Sequence, residues 1–174
     1  METIFNGEWH KGVPNGHGVC KYADGSVYEG IWVDGQPHGH GKKTLNDGTM
    51  YEGSWLEGRA KGNGVKVLPN GTMFEGDWDD HVFLKGKCQF PDGQIYDGEW
   101  KNGKPEGFGL KFWPDGRRYE GHWILGKPVG EGIKTYADGN SKRGFWEDGV
   151  FTPIGDVDES ELTKNEEASK PIDL

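Results

Sequence analysis

The sequence is poor in aliphatic residues, cysteine and positive charge. Only 32% of its 174 residues are hydrophobic, whereas a compact domain of this size usually carries close to half. No apolar stretch approaches the roughly 20 residues that a membrane helix needs, and Met1 to Phe5 lack the basic and apolar segments of a signal peptide. Two cysteines, Cys20 and Cys88, occupy equivalent positions three repeats apart and favour a reducing compartment over a disulfide framework. We therefore expect a cytoplasmic protein.

The charge balance argues against anionic ligands. The formal net charge is −9, and binding to nucleic acid or to an anionic membrane requires clustered lysine and arginine. Basic residues come in isolated pairs such as Lys42-Lys43, and the stretch 156–174 is acidic. We expect no nucleic-acid partner, and a membrane partner is disfavoured.

Glycine and large aromatic residues are abundant, and they recur with a fixed period. The chain has 31 glycines and 8 tryptophans. An aromatic-x-Gly-x-Trp core, such as Tyr28 to Trp32, returns every 22 or 23 residues. Its tryptophans are Trp9, Trp32, Trp55, Trp78, Trp100, Trp123 and Trp146. A period of this length indicates a repeat architecture.

Each repeat also carries the signals of a β-hairpin. An Asp-Gly or Asn-Gly dipeptide, such as Asp24-Gly25, follows a strand-length segment in six repeats. If these dipeptides form two-residue turns, Lys43 lies opposite Glu52, Lys66 opposite Glu75 and Lys111 opposite Glu120. The strand face opposite the leading aromatic and the tryptophan of each repeat would then carry Tyr22, Leu45, Leu68, Phe90, Trp113 and Tyr136. A turn one residue longer would exchange these faces, and both turn lengths remain open.

With these residues in view, the chain resembles the MORN-repeat family over about residues 5–155. The resemblance implies an all-β fold, an elongated single-layer antiparallel solenoid of β-hairpins with about six full repeats and a degraded seventh. The fourth repeat is shortened and has His81 in place of a glycine, so we expect a bend or altered loop there. We expect the solenoid to span 1–155 and an acidic tail, a short helix or a disordered segment, to span 156–174.

The leading aromatic and the tryptophan of each repeat share one strand face, because side chains alternate with period two. Repeat stacking requires most of these rings, yet one sheet has no second layer to cover them, so they also predict a groove for a partner segment such as a helix. The candidate groove residues are Tyr28, Trp32, Tyr51, Trp55, Phe74, Trp78, Tyr96, Trp100, Tyr119 and Trp123.

Catalytic and metal sites are weaker interpretations. The acids that follow the leading aromatics, including Glu29 and Glu52, recur at the spacing of the repeats, which favours structural ion pairs. His17, His38 and His40 lie close in sequence but have no cysteine or carboxylate at ligand spacing. We expect no catalytic residue, no metal and no cofactor.

The sequence thus predicts a non-enzymatic protein-binding scaffold. Family resemblance favours a component of an axonemal (radial spoke) or other cytoskeletal assembly, located in the cytoplasm, the cytoskeleton or the axoneme of a cilium or flagellum. The alternative is a phospholipid- or phosphoinositide-directed module that tethers membranes. Unpaired strand edges at the two ends of the sheet make an end-to-end homodimer a further option.

Overall fold

The chain folds as a series of β-hairpins. The computed structural model describes residues 2–162 and 169–173, and these form fourteen strands and one short 3-10 helix. The strands are β1 (Ile4–His10), β2 (Val13–Lys21), β3 (Val27–Val33), β4 (Gln36–Thr44), β5 (Met50–Leu56), β6 (Arg59–Val67), β7 (Met73–Asp79), β8 (Val82–Gln89), β9 (Ile95–Lys101), β10 (Lys104–Phe112), β11 (Arg118–Ile124), β12 (Lys127–Thr135), β13 (Ser141–Glu147) and β14 (Val150–Asp156). The helix is Glu159–Glu161.

Every strand is hydrogen-bonded to its neighbours in sequence. The strand order is β1 through β14 without a crossover, and the pairings are antiparallel. This confirms the all-β hairpin-repeat fold. The residues also divide into two compact units, Met1–Phe83 and Leu84–Leu174, which we call the N-terminal and C-terminal units. The division falls in β8, which has 8 residues where β6 has 9.

Two-residue turns follow the tryptophans. Val33 pairs with Gln36, so the loop between β3 and β4 is Asp34-Gly35. Their φ angles are 48° and 81°, which is the left-handed pair that a type I′ turn requires. His81 takes the place of the glycine in the fourth repeat with a φ of 66°. The loop there keeps the length and turn conformation of the others, and the missing residue is in the strand that follows.

The Asp-Gly turns are one residue longer than the two-residue turns just described. Tyr22 N donates to Ser26 O, and Gly25 N donates to Tyr22 O at 3.0 Å, so the loop is residues 23–25. Asp24 Oδ1 accepts from the backbone N of Ser26 at 2.8 Å, and Gly25 has a φ of 87°. This is a three-residue hairpin loop with glycine in the left-handed position.

The longer turn corrects the predicted register. Lys43 pairs with Tyr51 rather than with Glu52, whose partner is Lys42. The other two predicted pairs, Lys66 with Glu75 and Lys111 with Glu120, are wrong for the same reason. Lys66 pairs with Phe74, and Lys111 pairs with Tyr119. A shift of one residue turns each of these lysines to the other face of the sheet.

We call the two sides of the sheet the aromatic face and the opposite face. The aromatic face carries the leading aromatic and the tryptophan of each repeat, together with Lys43, Lys66, Lys111 and Lys134, because each of these lysines pairs directly with a leading aromatic. Tyr22 lies there as well, since it pairs with Ser26, two residues before Tyr28. The residues expected with Tyr22 on the far side (Leu45, Leu68, Phe90, Trp113 and Tyr136) make the same turn contacts and also lie on the aromatic face.

The chain continues past β14 along the C-terminal unit. Glu161 N donates to Asp158 O at 3.0 Å, and the Glu161 side chain accepts from Asp158 N at 3.4 Å, as in a capping box. Further on, Ile172 is 6% exposed, and its backbone N donates to Gln89 Oε1 at 2.9 Å. The expectation of a helix or a disordered segment within 156–174 falls partly on residues 163–168 and 174, which lie outside the described residues.

Candidate functional site

The rings of the aromatic face interlock within each unit. Phe5, Tyr28, Tyr51, Tyr96 and Tyr119 each pack edge-to-face between the tryptophan of their own repeat and the tryptophan of the next, whereas Phe74 packs against Trp78 and Phe83. The Tyr28 centroid lies 5.1 Å from those of both Trp32 and Trp55, and the Tyr96 centroid lies 5.3 Å from Trp100 and 5.2 Å from Trp123. This is the preferred geometry of aromatic pairs, so the rings join successive repeats.

Glycine makes this packing possible. Gly30 pairs with Gly41 across β3 and β4, and the Tyr28 ring lies over Gly41 so closely that a Cβ there would overlap the ring and its hydroxyl. The tryptophan ring N–H is satisfied by the same segment, since Trp55 Nε1 donates to Gly41 O at 2.8 Å. The strands therefore supply the space for the rings and, for Trp32, Trp55, Trp78 and Trp123, a glycine carbonyl that accepts from the ring N–H.

The predicted groove residues are mostly core. Tyr28 is 0% exposed, and Tyr96 and Tyr119 are 1% exposed. Tyr51 and the tryptophans Trp32, Trp55, Trp78, Trp100 and Trp123 are also buried, and Phe74 is half-buried. Within each unit, the structure places these residues on the aromatic face and packs them chiefly against one another. Their role in binding a partner stays a prediction.

The accessible apolar surface of the aromatic face lies along its margin. The residue before each three-residue turn is only partly covered, and Leu45 is 40% exposed. The row consists of Tyr22, Leu45, Leu68, Phe90, Trp113 and Tyr136. We call it the marginal row. Two-residue turns would place these residues on the opposite face. Sequence reasoning that counted from such turns therefore did not include them among the candidate contacts with a partner.

A row of lysines accompanies the rings. Lys43 Nζ lies 5.0 Å from the Tyr22 ring centroid, Lys66 Nζ lies 5.8 Å from Trp78, and Lys111 Nζ lies 5.3 Å from Trp113. Lys134 Nζ is 5.2 Å from Tyr136. Ammonium groups over aromatic faces are attracted by the ring quadrupole. Burial lowers the pKa of Lys111, which Asp92 partly offsets.

The acids that follow the leading aromatics lie on the opposite face. Glu29 and Glu52 both pair with Lys42, and the Lys42 Nζ to Glu52 Oε2 distance is 3.4 Å. Asp97 pairs with Leu110 and Lys87, and burial raises its pKa. The acids that follow the leading aromatics therefore lie on the opposite face with lysines such as Lys42 and Lys87, whereas the lysines that pair with the leading aromatics lie on the aromatic face.

An open cavity lies on the aromatic face of each unit. In the N-terminal unit it measures about 120 Å³, and it is lined by the rings of Tyr51, Trp55 and Trp78 and by Lys43 and Lys66. In the C-terminal unit it measures about 680 Å³. Its lining includes Lys111, Trp113, Tyr119, Trp123, Lys127, Trp146 and one acid, Asp148.

The smaller cavity coincides with two departures from the repeat pattern. Ala60 is the cross-strand partner of Trp55. In the preceding repeat, the cross-strand partner of the tryptophan, Trp32, is a proline, Pro37. Ala60 N donates to His81 Nδ1 at 3.3 Å, and the His81 ring centroid lies 6.0 Å from that of Trp55. A proline could not donate this bond, because it has no N–H. Burial lowers the pKa of His81, an effect that Asp80 partly offsets.

The cysteines and the candidate metal ligands show no reactive or metal-binding arrangement in the described residues. Both cysteines are free, as the sequence predicted, and the structure shows that they are also buried. Burial raises the pKa of Cys88 to about 12. A thiol with so high a pKa stays protonated and unreactive at neutral pH. Residues 2–162 and 169–173 contain no group of three or more His, Cys, Asp or Glu side chains that could hold a metal ion. The described part of the chain also has no helix that is long and apolar enough to span a membrane.

These features define an open, single-layer hairpin-repeat protein whose core is a set of interlocked rings on one face. The MORN repeat model matches residues 5–27, 28–50, 51–73, 85–95, 96–117 and 119–141, and the chain belongs to the MORN-repeat family. The match over the fourth repeat is short, in line with its shortened strand. The hairpin of β13 and β14 follows the last matched segment.

Solved structures with a similar fold carry bound peptides. The wild-type TCP10 domain of Danio rerio CPAP in complex with a peptide of Danio rerio STIL aligns with a TM-score of 0.52 and 20% identity, over 83% of this chain and 64% of that chain. The SAS-4 (dCPAP) TCP domain of Drosophila melanogaster in complex with a proline-rich motif of Ana2 (dSTIL) aligns with a TM-score of 0.51 and 14% identity, over 75% of this chain and 72% of that chain. At these identities the likeness shows the fold alone. A search of curated proteins found no significant match.

Proposed function

We propose that this protein is a non-enzymatic scaffold that binds a segment of a partner protein on its aromatic face. The observation that carries the proposal is the pair of open cavities on that face, each bordered by rings and lysines. The buried tyrosines and tryptophans form the floor of the site, and the marginal row supplies apolar contact area. Apolar concave surfaces with a few polar groups are typical of ligand sites.

Two further observations support a partner segment as the ligand. The two aligned structures reported above are complexes with a peptide and with a proline-rich motif, which supports a segment of a partner protein as the ligand here. Among the described residues, both thiols are buried, and strand acids such as Glu52 and Asp97 pair with lysines on the opposite face, which suits a structural role for them.

We further propose that the partner belongs to a cytoskeletal assembly, with the axoneme of a cilium or flagellum as the leading candidate and the cytoplasm as the general location. The support for this step is the resemblance of this chain to members of the MORN-repeat family that belong to such assemblies. A segment that binds as a helix or as an extended strand is compatible with the dimensions of the C-terminal cavity. Phospholipid tethering is the outcome that would replace this proposal.

The test replaces exposed residues of the aromatic face without touching its core. The variant Leu45→Ser/Trp113→Ser alters one marginal residue in each unit, and Ile31→Ser/Phe108→Ser alters residues of the opposite face that are 42% and 44% exposed. Both tagged variants and the wild type are used to capture partners from an extract of the cells that express the protein, with quantitative mass spectrometry. Loss of cytoskeletal partners from the first variant alone supports the proposal. Equal capture by all three proteins contradicts it.

A further inference from the structure

The N-terminal unit concentrates unpaired positive charge at its cavity. Lys43 lies between Tyr28 and Tyr51, and Lys66 lies between Tyr51 and Phe74, because each lysine is the cross-strand partner of the leading aromatics on both sides. Both ammonium groups border the cavity. Within the described residues neither one forms an ion pair, in contrast to Lys42 on the opposite face.

The carboxylates nearest to these lysines are occupied by the turns. Asp24 Oδ1 accepts from the Ser26 backbone N at 2.8 Å and from its hydroxyl at 2.6 Å, and these bonds hold the pKa of Asp24 below its usual value. Asp47 Oδ1 accepts from Thr49 N at 2.8 Å. Both acids interact with the lysines only at longer range, so the ammonium groups are free to meet a ligand carboxylate.

The remaining border of the cavity adds no net negative charge. His81 lies on this border and is favoured in its neutral form, because burial lowers its pKa. Asp80, next to it, is paired with Arg59 at 3.2 Å between Oδ2 and Nη1. No carboxylate lines the cavity among the described residues, whereas the cavity of the C-terminal unit includes Asp148.

The size of the cavity restricts the apolar part of the ligand. Its volume is about 120 Å³, and a cavity of roughly 150 Å³ holds a benzene molecule. One aliphatic side chain or a proline ring therefore fits against Trp55 and Trp78. The apolar floor and the two flanking ammonium groups together select an apolar side chain with acids on either side.

We propose that the N-terminal cavity anchors an acidic, extended segment of a partner protein. One aliphatic side chain of that segment packs against Trp55 and Trp78, and flanking carboxylates pair with Lys43 and Lys66. This inference rests on the proposed function, which it deepens by naming the chemistry of the partner. Charge complementarity at such a site increases the association rate and excludes basic competitors.

The experiment measures fluorescence anisotropy of a labelled probe peptide, in which one leucine is flanked on each side by two glutamates, titrated with the full chain. We expect saturable binding that weakens as the salt concentration rises. A matched peptide with glutamine in place of glutamate should bind on the order of tenfold more weakly, since two partly exposed ion pairs are lost.

Matched variants assign the site. Lys43→Gln/Lys66→Gln should weaken binding of the acidic peptide on the order of tenfold, and Lys43→Arg/Lys66→Arg should restore it because the charge is kept. Lys111→Gln/Lys134→Gln in the other unit and Lys42→Gln on the opposite face should change affinity by less than about twofold. Circular dichroism melts establish that each variant is folded.

Three outcomes would overturn the inference. They are the absence of saturable binding by the wild type, equal loss in the Lys111→Gln/Lys134→Gln variant, and binding of phosphatidylserine vesicles through Lys43 and Lys66 without binding of the peptide. If partner capture still depends on Leu45 and Trp113 in any of these cases, the proposed function stands, and only the proposal that the N-terminal cavity binds an acidic segment fails. Capture that is independent of the aromatic face would mean that the proposed function itself fails.

Discussion

The two faces of the sheet differ in burial and in charge. On the aromatic face Tyr28 is fully buried between two tryptophans, whereas Ile31 on the opposite face is 42% exposed. The strand acids of the repeats lie on the opposite face, where ion pairs such as Lys42 with Glu52 involve side chains that are 48% and 45% exposed. A single-layer sheet therefore builds its core on one face, and alternation along the strand places the acids on the other.

The largest expected effect compares one ring on each face. Tyr96→Ala removes a ring that is 1% exposed and contacts two tryptophans, and we expect it to lower the free energy of unfolding by about 3–5 kcal/mol. Phe108→Ala, on the opposite face, should cost less than about 1 kcal/mol because that ring is 44% exposed. Urea titrations followed by tryptophan fluorescence measure both values. Similar losses for the two variants would mean that the sheet has core on both faces.

The second comparison concerns glycines. Gly64→Ala places a methyl group against the Tyr51 ring and its hydroxyl, and we expect a loss of about 1–3 kcal/mol from overpacking. Gly155→Ala is the control, because a Cβ there has no neighbour within 4 Å. It should change stability by less than about 0.5 kcal/mol. A neutral Gly64→Ala would show that the tyrosine does not lie over the strand.

The third prediction is a pH effect at the N-terminal cavity. Burial lowers the pKa of His81 below its ordinary value of 6.5, so the unfolded chain takes up this proton first as the pH falls. His81 therefore contributes stability that is present above pH 6.5 and is lost as the pH falls from there to the lower pKa of the folded chain. His81→Asn retains an acceptor for Ala60 N and should flatten this part of the profile. Thermal melts between neutral and mildly acidic pH measure it, and a steeper profile in the variant would contradict the assignment.

The smallest effect is expected for an ion pair of the opposite face. Lys42→Gln removes the pairing with Glu52 at 3.4 Å, and exposed pairs of this kind contribute at most about 1 kcal/mol. We expect a change within about 0.5 kcal/mol in a chemical denaturation curve, further reduced by added salt. A loss as large as that of Gly64→Ala would show that this face is held together by charge.

The repeat pattern was sufficient to predict the hairpins and the clustering of the rings. The period of the tryptophans fixes one hairpin per repeat, and the spacing of Tyr28, Gly30 and Trp32 fixes which residues share a face, because both follow from local geometry. The separation of Cys20 and Cys88 was likewise sufficient to predict free thiols.

The turn length could not be read from the sequence, and this decided the candidate site. An Asp-Gly dipeptide fits a two-residue turn and also the last two positions of a three-residue turn. The choice depends on the bonds of Asp24 to Ser26 and of Gly25 to Tyr22. The three-residue turn places both the lysines that pair with the leading aromatics and the marginal row on the aromatic face. One signal in the sequence favoured the longer turn, since Lys43 and Lys66 occupy the position held by Cys20, and a free cysteine is among the residue types most often buried.

The N-terminal cavity was also beyond sequence reasoning. Replacement of a proline by Ala60 leaves space beside Trp55, and His81 bonds to the N–H that the proline would lack. The sequence led us to expect that His81 alters its own loop. Its side chain instead accepts a hydrogen bond from Ala60 N in the neighbouring repeat. Such a cavity depends on two substitutions that come together only when the repeats are packed.

Register is the central claim, and a disulfide trap tests it most directly. Oxidation of the Lys42→Cys/Glu52→Cys variant should give a cross-linked peptide in high yield by mass spectrometry, because these residues are cross-strand partners. Lys43→Cys/Glu52→Cys should give little, since the two side chains leave opposite faces. The reverse result would place Lys43 opposite Glu52 and remove the lysines from the aromatic face. It would therefore contradict the proposal that Lys43 and Lys66 bind an acidic segment at the N-terminal cavity.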